Sequence, residues 1–354
     1  MQISVVIPTC NRKSRLLSLL GSLERSTHPF LEVIIVDSGS DRLEEADLTV
    51  YPKLPITYLA AQRSVCIQRN TGIQKASAPF IFLCDDDIEV PPGYIQQLTN
   101  HLAEHKDAGA VSGLFLQKEK DGWTARYPLR SAVSLIWAFI FQLSIWGEID
   151  EAGRNPIVRP ILKYYRQKGN HISKAGWPVI TDFTGESGEY FVTPLYSLGA
   201  SLVRRDWLLQ SPFDEVLDPH GMGDNYGVAL GFPGNRIDVL NHAFVYHHRE
   251  SLNRLQRPLQ YFRRALALDY FISASRAPAA ADGAARKAPG ERTAAAPSRP
   301  WLLWSLTGKL LGFIGTKDGA MIRPALKTIR KIAVGKNPYR LASKASLKNI
   351  EPIL

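Results

Sequence analysis

Short β-rich runs and helical patterns alternate through the first 116 residues, and that alternation leaves few architectures open. Ile3 to Ile7, Leu31 to Val36, Ile56 to Leu59, Phe80 to Leu83 and Ala110 to Leu116 have strand length and composition. Lys13 to Arg25, Arg63 to Ala76 and Gly93 to His105 separate them with apolar residues at helical spacing. Such alternation implies right-handed crossovers and an α/β fold with a mostly parallel sheet flanked by helices.

One of these runs carries chemistry. Phe80-Ile-Phe-Leu-Cys-Asp-Asp-Asp87 is an apolar strand pattern that ends in three consecutive carboxylates. Open α/β sheets place ligands at the carboxyl ends of their strands. Adjacent carboxylates repel one another unless a cation or a proton sits among them. Asp85 and Asp87, two apart, can turn toward one divalent ion, and hard oxygen donors suit Mg²⁺ or Mn²⁺. An acidic turn capping a helix near Pro91 is the plainer alternative.

Composition bounds the rest. With 45% hydrophobic and 21% charged residues in 354, the chain is a folded protein with room for a large core. Cys10, Cys66 and Cys84 have no metal or redox spacing and read as small apolar residues in a reducing compartment. Nothing at the start resembles a signal peptide, so a cytoplasmic location is expected. The net charge of +10 is uneven: from Arg249 onward there are 20 Lys+Arg against 6 Asp+Glu, leaving 23 against 27 before it. A basic tail on a near-neutral body suggests an anionic contact, nucleic acid or a membrane surface.

Ser131 to Gly147 is a run of 17 uncharged residues, read as a buried or interface-lying helix and not a membrane crossing. Tyr196 to Arg205 reads as a strand entering a helix near Asp206, and Ile237 to His247 as a strand after a tight turn. Ala277 to Pro300, rich in Ala, Pro and charge, reads as a linker. Amphipathic basic segments follow it.

Several polar residues fall at the strand ends. Pro8-Thr-Cys-Asn-Arg12 closes the first strand and Val36-Asp-Ser-Gly-Ser40 the second. Asp37 could accept hydrogen bonds from a base or ribose there, although Asp-Ser-Gly-Ser is also an ordinary turn sequence. Arg69, in Gln68-Arg-Asn-Thr-Gly72, could bind a diphosphate, brace an Asp, or lie on a helix surface.

Taken together, Val5-Val-Ile-Pro-Thr9 with Asn11-Arg12, Val36-Asp-Ser-Gly-Ser40, Arg69-Asn-Thr-Gly72 and Asp85-Asp-Asp87 resemble the family 2 glycosyltransferases with the GT-A fold. The resemblance covers the first third well and thins toward Arg264. It implies transfer of a sugar, with inversion, from a UDP-, GDP- or dTDP-linked donor to a glycan or lipid-linked acceptor. Donor contacts would then come from Pro8, Thr9, Asn11, Asp37, Arg69, Asp85, Asp86 and Arg254. Asp87, with Asp85 and His247 or His248 of Val245-Tyr-His-His-Arg249, would hold Mn²⁺ or Mg²⁺. Leu198-Gly-Ala-Ser-Leu-Val-Arg-Arg205 looks like the strand before the acceptor pocket. In Gly221-Met-Gly-Asp-Asn-Tyr-Gly227 the family's carboxylate pair is reduced to one, so Asp224 is the expected base, with Asp214, Glu215 and Asp218 as fallbacks.

The implied organisation is a transferase domain over 1–264, split into a nucleotide half (1–116) and an acceptor half (117–264). A helix end and linker follow at 265–300, then basic amphipathic C-terminal helices at 301–354. The single carboxylate also leaves open a non-catalytic nucleotide-sugar binder of the same fold. A nucleotidyltransferase is disfavoured because the loop after the first strand has no glycine. Nucleic acid is disfavoured because the tail mixes Trp, Leu and Ile with its basic residues and carries no nucleic-acid module. Peripheral attachment to an anionic membrane surface fits that mixture, as does a helical cover over the enzyme core.

Overall fold

The computed structural model describes residues 1–120, 122–248, 255–274 and 296–351. In the nucleotide half, β1 (Ile3–Thr9), α1 (Lys13–Glu24), β2 (Glu32–Asp37), α2 (Glu45–Leu48), β3 (Ile56–Ala60), α3 (Val65–Lys75) and β4 (Phe80–Cys84) alternate as the sequence implies. The half closes with β5 (Ile88–Glu89), α4 (Tyr94–Glu104) and β6 (Ala110–Glu119). Next come β7 (Gly122–Thr124), α5 (Ala132–Ile140), β8 (Ile145–Trp146), α6 (Arg159–Lys168), β9 (His171–Ile172), β10 (Pro178–Ile180), β11 (Tyr190–Thr193) and β12 (Ala200–Arg204). After these are α7 (Arg205–Gln210), α8 (Asp224–Ala229), β13 (Ile237–His247), α9 (Arg257–Ala274), α10 (Arg299–Gly315), α11 (Gly319–Ala333) and α12 (Pro338–Lys344).

The main sheet runs β11-β13-β6-β12-β4-β1-β2-β3. The pairs of β1 with β2 and β4, of β2 with β3, and of β6 with β13 are parallel. β12 enters antiparallel between β4 and β6, and β11 is antiparallel to β13. Period-two alternation divides the strand residues between two cores. Ile3, Val5 and Ile7 join Leu16, Leu19 and Leu98 on the α1/α4 face. Val6, Ile34 and Val36 join the α3 side, where Trp207, Phe262, Leu302 and Tyr339 also pack. Burial on both faces explains why these strands read as unbroken apolar runs.

One expectation needs correction. The uncharged run at 131–147 is not one helix: Ser131 caps α5, which ends at Ile140, and Gln142 at φ 51° turns the chain toward β8. No helix among the described residues is long and apolar enough to cross a membrane. α9 runs across residue 264 to Ala274, and its Phe262 and Leu266 belong to the same core as Leu302 and Leu306 of α10 and Ile332 of α11. The C-terminal helices thus complete the core on one face of the sheet. Residues 275–295, most of the expected linker, lie outside the described residues, as does Arg254.

Candidate active site

The carboxyl ends of β1 and β4 face one cavity of about 1110 Å³, lined among others by Thr9, Arg12, Asp87, Asp224, His247 and Lys309. Its sheet edge is fixed by α3. The Gln68 amide donates to the carbonyls of Thr9 (2.6 Å) and Val36 (2.7 Å), tying β1 to β2. Asn70 donates to the Phe213 carbonyl and accepts from its N–H, fastening α3 to the acceptor half. Sequence reading quoted both residues without giving either a role.

The three acids have different partners. Asp85 takes the Arg69 guanidinium at 2.6 Å. It sits where only glycine fits opposite: a Cβ on Gly199 would lie 2.0 Å from an Asp85 oxygen. Asp86 is buried and accepts from the Thr9 hydroxyl (2.8 Å) and Arg12 (2.8 Å). Burial pushes its carboxyl up to about 6, against the pull of Arg12. Asp87 lies 3.3 Å from Arg12 on one oxygen and 3.3 Å from His247 Nε2 on the other. Arg12, named in the sequence only as part of a motif, is the cation that the acidic triplet required. Burial opposes its charge, but Asp86 and Asp87 hold the proton on.

Strand pairing decides between the two histidines. The backbone of His248 donates to the Asp87 carbonyl, and His247 pairs with Ile88 in the short β5–β13 ladder. His247 therefore faces the triplet, packed edge-on against Phe115, with Nδ1 buried and without a hydrogen-bond partner among the described residues. His248 turns away, its Nε2 3.0 Å from Glu89.

Asp224 opens α8 directly after Gly223, whose φ of 97° suits a residue without a Cβ. Its carboxylate is gripped by Arg69, the same guanidinium that holds Asp85. Burial raises the Asp224 pKa, while Arg69 pulls it back. Arg69 is thus a buried brace between two acids, one of the three roles its sequence left open.

Five of the expected donor or base residues have partners within the fold. Asp37 is 2% exposed, accepting from Tyr58 and from the Gly39 N–H, and it does not line the cavity. Asn11, at φ 53°, holds the β2 loop through the Ser40 N–H at 2.7 Å. The fallback acids are structural: Asp214 accepts from Tyr270, Glu215 from Asn70, and Asp218 from Tyr339 and Arg263. Pro8, Thr9 and Asp85 to Asp87 do line the cavity.

Asp87 and His247 are two converging donors that fit one divalent ion. Among the described residues no three His, Cys, Asp or Glu side chains form a metal cluster. A cation held by these two side chains would need further oxygen ligands from outside the described side chains.

Comparison with known proteins accords with this geometry. The family model Glycosyl transferase family 2 matches residues 4–209, more than half of the chain. The chain belongs to that family. It is 36% identical over 135 residues to the uncharacterized glycosyltransferase YwdF of Bacillus subtilis (strain 168), covering 36% of this chain and 48% of that one. Over 109 residues it is 35% identical to validoxylamine A glucosyltransferase of Streptomyces hygroscopicus subsp. jinggangensis (strain 5008), covering 29% of this chain and 25% of that protein. The matches therefore span half or less of these relatives. Among solved structures, S. aureus TarS 1-349 in complex with UDP-GlcNAc superposes with a TM-score of 0.50 at 14% identity, covering 100% of this chain and 95% of that one. At that identity the likeness is one of fold.

Proposed function

We propose that this family 2 domain is an inverting glycosyltransferase that moves a sugar from a nucleoside diphosphate to a hydroxyl of a glycan or lipid-linked acceptor. One observation carries the reading: the acidic edge of β4, His247 of β13 and Asp224 of α8 face a single cavity large enough for both substrates. Pro8, Thr9 and Arg12 form its nucleotide end. Asp87 and His247 would hold a divalent ion there, which supplies charge neutralisation to the departing diphosphate.

Asp224 stands as the general base. Inversion requires the acceptor hydroxyl to attack from the face opposite the leaving group and to lose its proton as it does so. A buried carboxylate with a raised pKa accepts a proton more readily than one in water. Arg69 fixes its position and links it to Asp85, so the acceptor and donor sides keep one spacing.

Attachment at an anionic membrane surface belongs to the same proposal. Trp301, Trp304, Leu311 and Ile314 form an exposed stripe on α10, beside exposed Ile140 of α5, to which Trp304 is bonded. The chain from Arg249 onward is basic, with 20 Lys+Arg against 6 Asp+Glu, a composition that favours an anionic surface. Flotation with phosphatidylglycerol vesicles, and none with phosphatidylcholine, would support attachment; equal recovery in the absence of lipid would remove it.

The decisive test is calorimetric titration with UDP, GDP and dTDP, with and without Mn²⁺, beside Asp87→Ala. Metal-dependent binding of one nucleotide, lost in the variant, is the expected outcome. No binding by any of the three would remove the transferase reading.

A further inference from the structure

The cavity continues past Asp224 to an end that the donor does not explain. Its walls come from β10, α9 and α10, and three cations line them: Arg257, which is paired with Asp318, and Arg264 and Lys309. Lys309 lies on the inward stripe of α10 with Leu302, Ser305 and Leu306. Its Nζ stands 3.6 Å from the centre of the Trp177 ring, and that ring is locked by a 2.8 Å bond from its Nε1 to the Ser305 hydroxyl. Tyr261 stands 5.8 Å from the same Nζ, and Phe313 packs edge-on against Tyr261.

Neither Arg264 nor Lys309 has a carboxylate partner among the described residues. By contrast, Arg263, the immediate neighbour of Arg264, is bonded to both Asp218 and Glu351. Arg264 is exposed, opening into the cavity, and desolvation there weakens its hold on the proton while Asp224 strengthens it. Burial and the nearby Arg264 charge push Lys309 down to about 7. Two neighbouring like charges on one cavity wall, neither in an ion pair among the described residues, repel each other, and such an arrangement is a mark of a ligand site.

Their location assigns the ligand to the acceptor. Both cations line the same cavity as Asp224 but come from α9 and α10, whereas the acidic triplet follows β4. We propose that Arg264 and Lys309 form the seat for a phosphate ester carried by the acceptor, with Trp177, Tyr261 and Phe313 as the wall for its organic part. An Arg fork and a Lys point charge together suit a phosphate dianion. Seating that group beyond Asp224 directs the acceptor hydroxyl back toward the base. This inference rests on the transferase reading, which supplies the acceptor.

The test is calorimetry on the full chain, first saturated with whichever nucleotide binds, then titrated with farnesyl phosphate, glucose 1-phosphate and inorganic phosphate. Farnesol and glucose are the neutral controls. Wild type is compared with Lys309→Met and Arg264→Gln, each checked by thermal melting. The expected result is phosphate-dependent binding beside the nucleotide, weakened at least ~10-fold in each folded variant as a charged hydrogen bond is removed. Nucleotide affinity stays as in wild type. Binding of farnesyl phosphate alone would indicate a lipid-borne ester; binding of glucose 1-phosphate as well would indicate that the phosphate itself suffices.

Three results would overturn the proposal: no heat from any phosphate probe, equal affinity in the variants, or competition with the nucleotide together with weakened nucleotide binding in the variants. The last would assign both cations to the donor's diphosphate. If one variant does not fold, the other and the wild-type competition decide. Should no nucleotide bind wild type while phosphate esters do, the donor reading fails and the anion seat stands.

Discussion

Arg69 and Asp224, 155 residues apart in sequence, are hydrogen-bonded in the interior of the protein. The guanidinium comes from α3 of the nucleotide half and the carboxylate from the first turn of α8. Because the other arm of Arg69 holds Asp85, the bond fixes how far the β4 edge stands from the proposed base.

That bridge separates stability from chemistry. Arg69→Met strands two carboxylates, and a cost of about 3–5 kcal/mol in denaturant unfolding is expected from leaving buried charge uncompensated. Asp224→Asn keeps the shape but has one acceptor oxygen where the carboxylate takes both Arg69 and the Asn225 N–H, so a stability loss of about 1–3 kcal/mol is expected while nucleotide affinity changes little. Its kcat should fall by about 10²–10⁴-fold, the usual contribution of a general base. A variant with full turnover would exclude Asp224 as the base.

The histidine pair offers an internal control. His247→Ala removes one of two converging donors and should weaken Mn²⁺-dependent nucleotide binding by roughly tenfold or more. His248→Ala removes an outward contact to Glu89 and should leave it within about twofold. Equal losses in the two variants would mean that the β5–β13 pairing does not set the metal site.

Most of the nucleotide half was legible in the sequence because its strands are short, apolar on both faces and separated by periodic helices. The acidic triplet was legible as a charge problem, but its solution was not: Arg12 folds onto Asp86 from 74 residues away. Asp37 and Asn11 look like ligand groups at strand ends, and only the folded chain shows Tyr58 and Ser40 occupying them. The uncharged run at 131–147 hid a turn at Gln142, since composition does not record a left-handed residue. Lys309 was lost in a basic tail, where nothing marks one lysine as inward-facing until α10 meets Trp177.

Gly199 brings β12 directly against the acids. Its carbonyl accepts the Asp85 N–H at 2.8 Å, continuing the β12–β4 ladder, and a Cβ there would strike the Asp85 carboxylate. Gly199→Ala must displace Asp85 from Arg69. The expected stability loss is about 1–3 kcal/mol, as for an overpacked interior, with a larger proportional loss of activity than of nucleotide binding. Unchanged activity at unchanged stability would show that Asp85 can move freely without consequence.

Lys309 gives the pH dependence. An amine whose pKa is lowered by folding binds its proton less well folded than unfolded, so the cost of burying it is full below pH 7. That cost shrinks as pH rises through 7 and vanishes near the ordinary lysine value of 10.5. Wild type should therefore gain stability from this group between those limits. Lys309→Met removes the cost and should stabilise the ligand-free protein by roughly 1–4 kcal/mol at pH 6.5, as when a buried ion is replaced by an apolar side chain of similar size. The gain should be clearly smaller at pH 9, and smaller again at pH 6.5 once a phosphate ester occupies the seat in wild type, because the bound anion restores the counter-charge. Thermal melting of both proteins at the two pH values measures it; a gain independent of pH would mean that the Lys309 charge is not the source.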